Sequence, residues 1–133
     1  MKQFLGTPPD TLLETLNIVV TEAGPERVVA TMPVSPKVHQ PFGILHGGAS
    51  VVLAETVASI GASVSIDLSK QHAVGLEINA NHIRVVRDGT LTGTATPLHK
   101  GRSTHVWNVT INDENGKLVC TSRCTLAIIE ARE

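Results

Sequence analysis

Ala49-Ser50-Val51-Val52-Leu53-Ala54-Glu55-Thr56-Val57-Ala58-Ser59-Ile60-Gly61-Ala62-Ser63-Val64-Ser65-Ile66 is the stretch on which the fold turns. It is too long for an ordinary strand, and nearly every position is apolar or small. The pattern predicts a helix over 49–66 that is apolar on all faces. Such a helix either crosses a membrane or lies buried in a core. Glu55, Thr56 and the serines at 50, 59, 63 and 65 decide against lipid, because ionisable groups are costly in the bilayer. A central helix buried on all sides is the expectation.

The chain after this helix alternates as strands do. Val74, Leu76, Ile78 and Ala80 share one face by period two within a strand over 74–86. Leu91, Gly93 and Ala95 alternate with threonines over 90–98. His105, Trp107, Val109 and Ile111 stand together over 104–112. Asn115-Gly116 marks a tight turn into a final strand over 118–129. Before the helix, Thr11-x-x-Glu14 has capping-box spacing ahead of Leu12, Leu13 and Leu16, so a short helix is expected over 10–17. Gly24-Pro25 precedes a strand over 28–34, and Pro33, Pro36 and Pro41 make 33–45 a stiff loop. The sum is one α+β domain over 1–133, with about five antiparallel strands around one helix. That arrangement leaves open sheet edges and a half-covered helix flank, so a second copy of the chain is expected to complete the burial.

Composition removes several classes. The 133 residues carry 11 Lys+Arg against 12 Asp+Glu and are 41% hydrophobic. With a mean hydropathy of +0.12 and a pI near 6.6, the chain is neither disordered nor a general nucleic-acid binder. Two Phe, one Trp and no Tyr cannot build a platform for stacking bases. Cys120 and Cys124 sit roughly 13 Å apart in an extended strand, beyond the reach of a disulfide. The start of the chain lacks an apolar run, so no signal peptide is read there. A reduced, cytoplasmic protein is expected. Histidines stand at 39, 46, 72, 82, 99 and 105, but neither H-E-x-x-H nor Cys-x-x-Cys occurs, so no metal is expected. G-x-S-x-G is also missing.

Chemistry gathers around His46-Gly47-Gly48 and Glu55. Glycines at a helix start admit close approach, and the first N–H groups there have no internal acceptor. They suit an oxygen that becomes negative during a reaction, although a tight turn alone explains the pair equally well. Glu55 lies about two turns into an apolar helix, where a carboxylate is costly unless paired or useful. Ser59 is one turn further on, within hydrogen-bonding range of it, and Thr56 is adjacent. The carboxylate is a general base or nucleophile, or a structural group satisfied by serines or a partner subunit. His82 and Arg84 end an apolar face, at a polar site or at the solvent boundary. Lys100-Gly101-Arg102-Ser103, near Arg84 and Arg87, is a phosphate grip or a solvated turn.

Gln40-Pro41-Phe42-Gly43-Ile44-Leu45-His46-Gly47-Gly48-Ala49-Ser50-Val51-Val52-Leu53-Ala54-Glu55 resembles the hotdog-fold acyl-CoA thioesterases. Val74-Gly75-Leu76-Glu77-Ile78-Asn79-Ala80-Asn81-His82-Ile83-Arg84 and Pro97-Leu98-His99 extend the resemblance, which spans about residues 26–129. The branch is that of the 4-hydroxybenzoyl-CoA, 1,4-dihydroxy-2-naphthoyl-CoA and enterobactin-proofreading enzymes, within the phenylacetate-pathway group. The resemblance implies an antiparallel sheet wrapped around one long helix, and an enzyme that hydrolyses a small aromatic acyl-CoA (hydroxybenzoyl, gentisyl or dihydroxynaphthoyl type) without metal or cofactor. It implies that Glu55 attacks the thioester or activates water, and that the Gly47 N–H polarises the carbonyl. Gln40 and His46 position the reacting groups, and Ser59, from the same or the facing subunit, lies near the acyl group or the water. Thr56 stands where some relatives carry Ser. His82, Arg84, Lys100, Gly101, Arg102 and Ser103 fall where the family binds pantetheine and nucleotide. The turn 101–103 departs from the Gly-Ser-Arg of relatives, whereas Glu55, in place of Asp, favours the aryl-CoA branch. Loop 33–45 and a facing subunit are expected to shape the acyl pocket, in a tetramer built as a dimer of dimers. The alternatives are a hotdog enoyl-thioester hydratase or dehydratase, whose His-Phe-Pro-Gly is missing here, and a non-catalytic acyl-CoA binding module.

Overall fold

In the computed structural model, which describes residues 2–132, a one-turn helix Leu12–Thr15 (α1) precedes the long helix Gly47–Val64 (α2). Six strands follow the order β1-β2-β4-β5-β6-β3, every neighbouring pair antiparallel. They are Val19–Ala23 (β1), Val28–Pro33 (β2), Gln71–His82 (β3), Thr90–Lys100 (β4), Thr104–Asn112 (β5) and Leu118–Glu130 (β6). The sheet curls around α2, which touches all six strands. Although α2 is long and apolar enough to cross a membrane, it is the core helix of this fold. Trp107, Leu53, Val57, Ile111 and Leu126 are fully buried between helix and sheet. The expected domain limits, Met1 and Glu133, lie outside the described residues.

β5 has the expected limits, because His105, Trp107, Val109 and Ile111 all point into the core without interruption. The turn after it also forms as expected, with Gly116 at φ +77 and its N–H donating to Asp113 O at 3.0 Å. Other elements correct the sequence expectation. The sixth strand, β1, was not foreseen: Val20 is its only buried residue, and a register shift between Val20 and Glu22 breaks its alternation. α1 is half the expected length. No capping box forms, since the Thr11 hydroxyl donates to Pro8 O (2.8 Å) and Glu14 accepts from the Asp10 N–H. Asp10 and Asn17, both left-handed at φ +59 and +57, close the segment at either end.

β3 carries the most consequential correction. It spans 71–82, not 74–86, and a register shift between Gly75 and Glu77 marks a bulge. Gly75 therefore pairs with Leu126, and Ile78, Ala80 and His82 pair with Cys124, Ser122 and Cys120, all buried residues of β6. Gly75, Ile78, Ala80 and His82 thus share the inner face. Val74 and Leu76 fall out of step and are 42% and 63% exposed. The helix also differs from the expectation of burial on every side. Ala49, Leu53, Ala54, Val57 and Ala58 are buried, but Val52, Glu55, Thr56, Ser59 and Ser63 form a half-open stripe at helical spacing.

Candidate active site

His46 is the N-cap of α2, with Nδ1 accepting from the Gly48 N–H at 2.7 Å. The Ala49 N–H donates to His46 O at 3.0 Å. The Gly47 N–H, first in the helix, has no acceptor among the described residues. His82 comes in from the inner face of β3 and lies against Gly47. A Cβ at position 47 would stand 2.8 Å from the His82 Nε2, so a side chain there would have to displace the His82 ring. Gln40 folds over the same point from the proline-rich loop, and its Oε1 accepts from the Phe42 N–H. Gln40, Gly47, Ser50, His82 and Arg84 line one cleft of about 280 Å³. The structure therefore brings together Gln40, Gly47, His82 and Arg84, with His46 capping the helix beside them.

Glu55 sits elsewhere. Its carboxylate lies against the backbone of Gly75, where a Cβ would fall on Oε2. Ser59, though one turn away, makes no hydrogen bond to Glu55, and Thr56 Oγ1 donates to Val52 O at 2.7 Å. Among the described residues Glu55 has no hydrogen-bond or ion-pair partner. It opens on a cavity of about 380 Å³ shared with Thr56 and Ser59. The opposite wall is Phe4, Pro8, Leu12 and Leu13, an N-terminal contribution that sequence reasoning missed; the three leucines of 12–16 were the only signal. Glu77 and Gly75 flank the acid on its other side. Burial pushes the nearby Cys124 thiol up to about 12, reinforced by the negative charge of Glu55 and Glu77. Cys124 is thus no nucleophile near neutral pH.

Two rulers separate the halves of the site. Gly47 and Glu55 are eight residues apart on α2, roughly 12 Å of helix. Their contacts on β3, His82 and Gly75, are seven residues apart, roughly 20 Å of strand. An N–H that holds a carbonyl oxygen and a group that attacks its carbon must stand within about 7 Å of each other. Gly47 and Glu55 thus stand at separate places along α2, each against its own residue of β3.

The basic turn is likewise divided from its expected companions. Lys100 pairs across the sheet with His105, which aligns through Leu126 with Gly75. His82 aligns through Cys120 with Ile111, six residues further along β5 and roughly 20 Å away. Lys100, Gly101, Arg102 and Ser103 therefore lie at the Glu55 end of the sheet, away from Arg84 and Arg87. Lys100 Nζ meets Glu26 at 3.4 Å and lies 5.7 Å from the Trp107 ring centroid, whereas Arg102 and Ser103 are exposed.

Comparison with known proteins agrees with this architecture. A family model described as the thioesterase superfamily matches residues 42–120. The chain is 49% identical over 122 residues to the 1,4-dihydroxy-2-naphthoyl-CoA hydrolase of Listeria monocytogenes, covering 92% of this chain and 98% of that one. It is 46% identical over 124 residues to the proofreading thioesterase EntH of Cronobacter sakazakii, covering 93% and 90%. A solved thioesterase of Haemophilus influenzae superposes with a TM-score of 0.88 at 44% identity, over 94% of this chain and 87% of that one. In sequence as in fold, the chain belongs to the thioesterase superfamily and is a hotdog-fold thioesterase.

Proposed function

We propose that this thioesterase hydrolyses a small aromatic acyl-CoA to the free acid and coenzyme A. The observation that carries this reading is the Glu55 carboxylate, unpaired among the described residues and set on the wall of an apolar cavity of about 380 Å³. An unpaired carboxylate on an apolar wall is costly for folding alone, and useful only if something arrives for it to act on. The cavity falls in the usual range for small-molecule pockets, and its apolar lining suits an aromatic ring. Relatives whose names specify 1,4-dihydroxy-2-naphthoyl-CoA point the same way.

The two-ruler separation supports a composite site. Glu55 of one protomer works on a carbonyl polarised by the Gly47 N–H of its partner, where Gln40 and His46 position the thioester. The open stripe of α2 and the edge strand β3 adjoin each other, so a second copy covers both. Two such dimers form the tetramer, in the cytoplasm. His82 and Arg84 take the pantetheine arm, and the turn Lys100-Gly101-Arg102-Ser103 takes the nucleotide phosphates. Ser59 and Thr56 border the acyl group. No cofactor is required, because a thioester carbonyl is itself reactive.

Two routes fit this geometry. A Glu55 oxygen adds to the carbonyl carbon, the C–S bond breaks, and the thiolate leaves and takes a proton; water then cleaves the mixed anhydride. Alternatively Glu55 takes a proton from water, hydroxide adds to the same carbon, and the thiolate leaves and is protonated. If water cleaves the anhydride at the Glu55 carboxyl carbon, a single turnover in ¹⁸O-water separates them, since direct attack then leaves the label on the enzyme and the first product unlabelled. The reading itself is tested by thiol release from a panel of aryl- and alkyl-CoA esters. The expected result is turnover of aryl esters by the wild type, and a loss of about 10²–10⁴-fold in folded Glu55→Ala. Near-normal turnover by Glu55→Ala overturns it, as does ester binding without thiol release by the wild type.

A further inference from the structure

Ser50 lies three residues after Gly47, and its side chain is 0% exposed. Its hydroxyl has no hydrogen-bond partner among the described residues. Helical hydroxyls ordinarily settle by donating to the carbonyl four residues back. Thr56 and Ser65 of the same segment do so, to Val52 O and Gly61 O, each at 2.7 Å. Ser50 does not bond to His46 O. A buried hydroxyl left unpaired lowers stability and calls for an explanation.

Its surroundings supply one. Ser50 lines the same cleft as Gly47, Gln40 and His82. Residues three apart stand on one helix face, and helical side chains tilt toward the N-terminus, which carries the Ser50 hydroxyl toward the level of Gly47. The other early N–H groups are already engaged: Gly48 donates to His46 Nδ1 and Ala49 to His46 O. Gly47 therefore supplies only one backbone donor, whereas preorganised oxyanion sites generally combine several.

We propose that the Ser50 hydroxyl donates a second hydrogen bond to the thioester carbonyl oxygen polarised by the Gly47 N–H. This rests on the reading of Gly47 as the carbonyl-polarising donor. The serine keeps its proton throughout; its bond tightens as the carbonyl oxygen gains charge and relaxes when the C–S bond breaks. Thiol release is measured for wild type, Ser50→Ala and Ser50→Cys on the best ester of the panel, alongside thermal melting. The expected result is a fall in kcat of about 10–10³-fold in Ser50→Ala with KM little changed. Ser50→Cys, a weaker donor of similar shape, falls between the two. The melting temperature of Ser50→Ala stays level or rises, because the alanine removes an unpaired buried group. A Ser50→Ala kcat within about two-fold of wild type overturns the proposal. So does a fall in kcat that tracks lost melting temperature in both variants. Absent turnover by the wild type would sink the thioesterase reading itself, whereas the variant-to-wild-type ratio reports on Ser50 alone.

Discussion

At the scale of single residues, Glu55 depends on Gly75. The inner face of β3 presents a glycine where the carboxylate lies, and any side chain there would push the acid aside. Gly75 is not left-handed, so alanine is tolerated by the backbone. Gly75→Ala is accordingly predicted to fold, melt within a few degrees of wild type and lose about 10²-fold in kcat/KM, the typical cost of misplacing a reacting group by an ångström. Unaltered kinetics would show that the position of Glu55 against β3 does not matter. The costliness of an acid in an apolar helix singles out Glu55 in the sequence, and the paired glycines single out Gly47. Gly75 was not legible, because the bulge that turns it inward leaves no mark in the alternation. Nor was the orphan state of Ser50, since spacing does not tell a paired hydroxyl from an unpaired one.

At the scale of elements, legibility followed the number of inward residues. β5 has four in unbroken alternation and was read to its ends; β1 has one and was not seen. α1 is a single turn, and its expected cap turned to other partners. Yet the segment before β1 supplies Phe4, Pro8, Leu12 and Leu13 to the wall facing Glu55. Loop 33–45, expected to shape the acyl pocket together with a facing subunit, contributes Gln40, Ile44 and Leu45 to the cleft at Gly47. If the acyl group enters the cavity beside Glu55, Leu13→Ala enlarges it. The kcat/KM ratio for a bicyclic over a monocyclic aryl-CoA should then rise by about 10-fold, the effect of a few methylenes in an apolar pocket. An unchanged ratio would place the acyl group elsewhere.

At the scale of the whole molecule, the sheet and its helix close a core but leave one flank open. Leu76 on the edge strand is 63% exposed, and the stripe of α2 beside it is half open. The sequence already implied this shortfall, because one sheet cannot enclose a helix apolar all round. What it did not convey is the separation of Gly47 from Glu55 along α2, on which the proposed composite site rests. That distance emerges only from the register of β3 against the helix, with Gly47 at His82 and Glu55 at Gly75.

The most direct test mixes two inactive proteins. Glu55→Ala and His46→Ala are purified separately, shown to be folded and inactive in thiol release, then mixed in equal amounts under conditions where subunits exchange. Half of the resulting dimers are hybrids with one intact composite site, so turnover should recover to about a quarter of wild type. Exchange without any recovery would mean that both residues serve the carbonyl from the same chain, and would contradict the composite site.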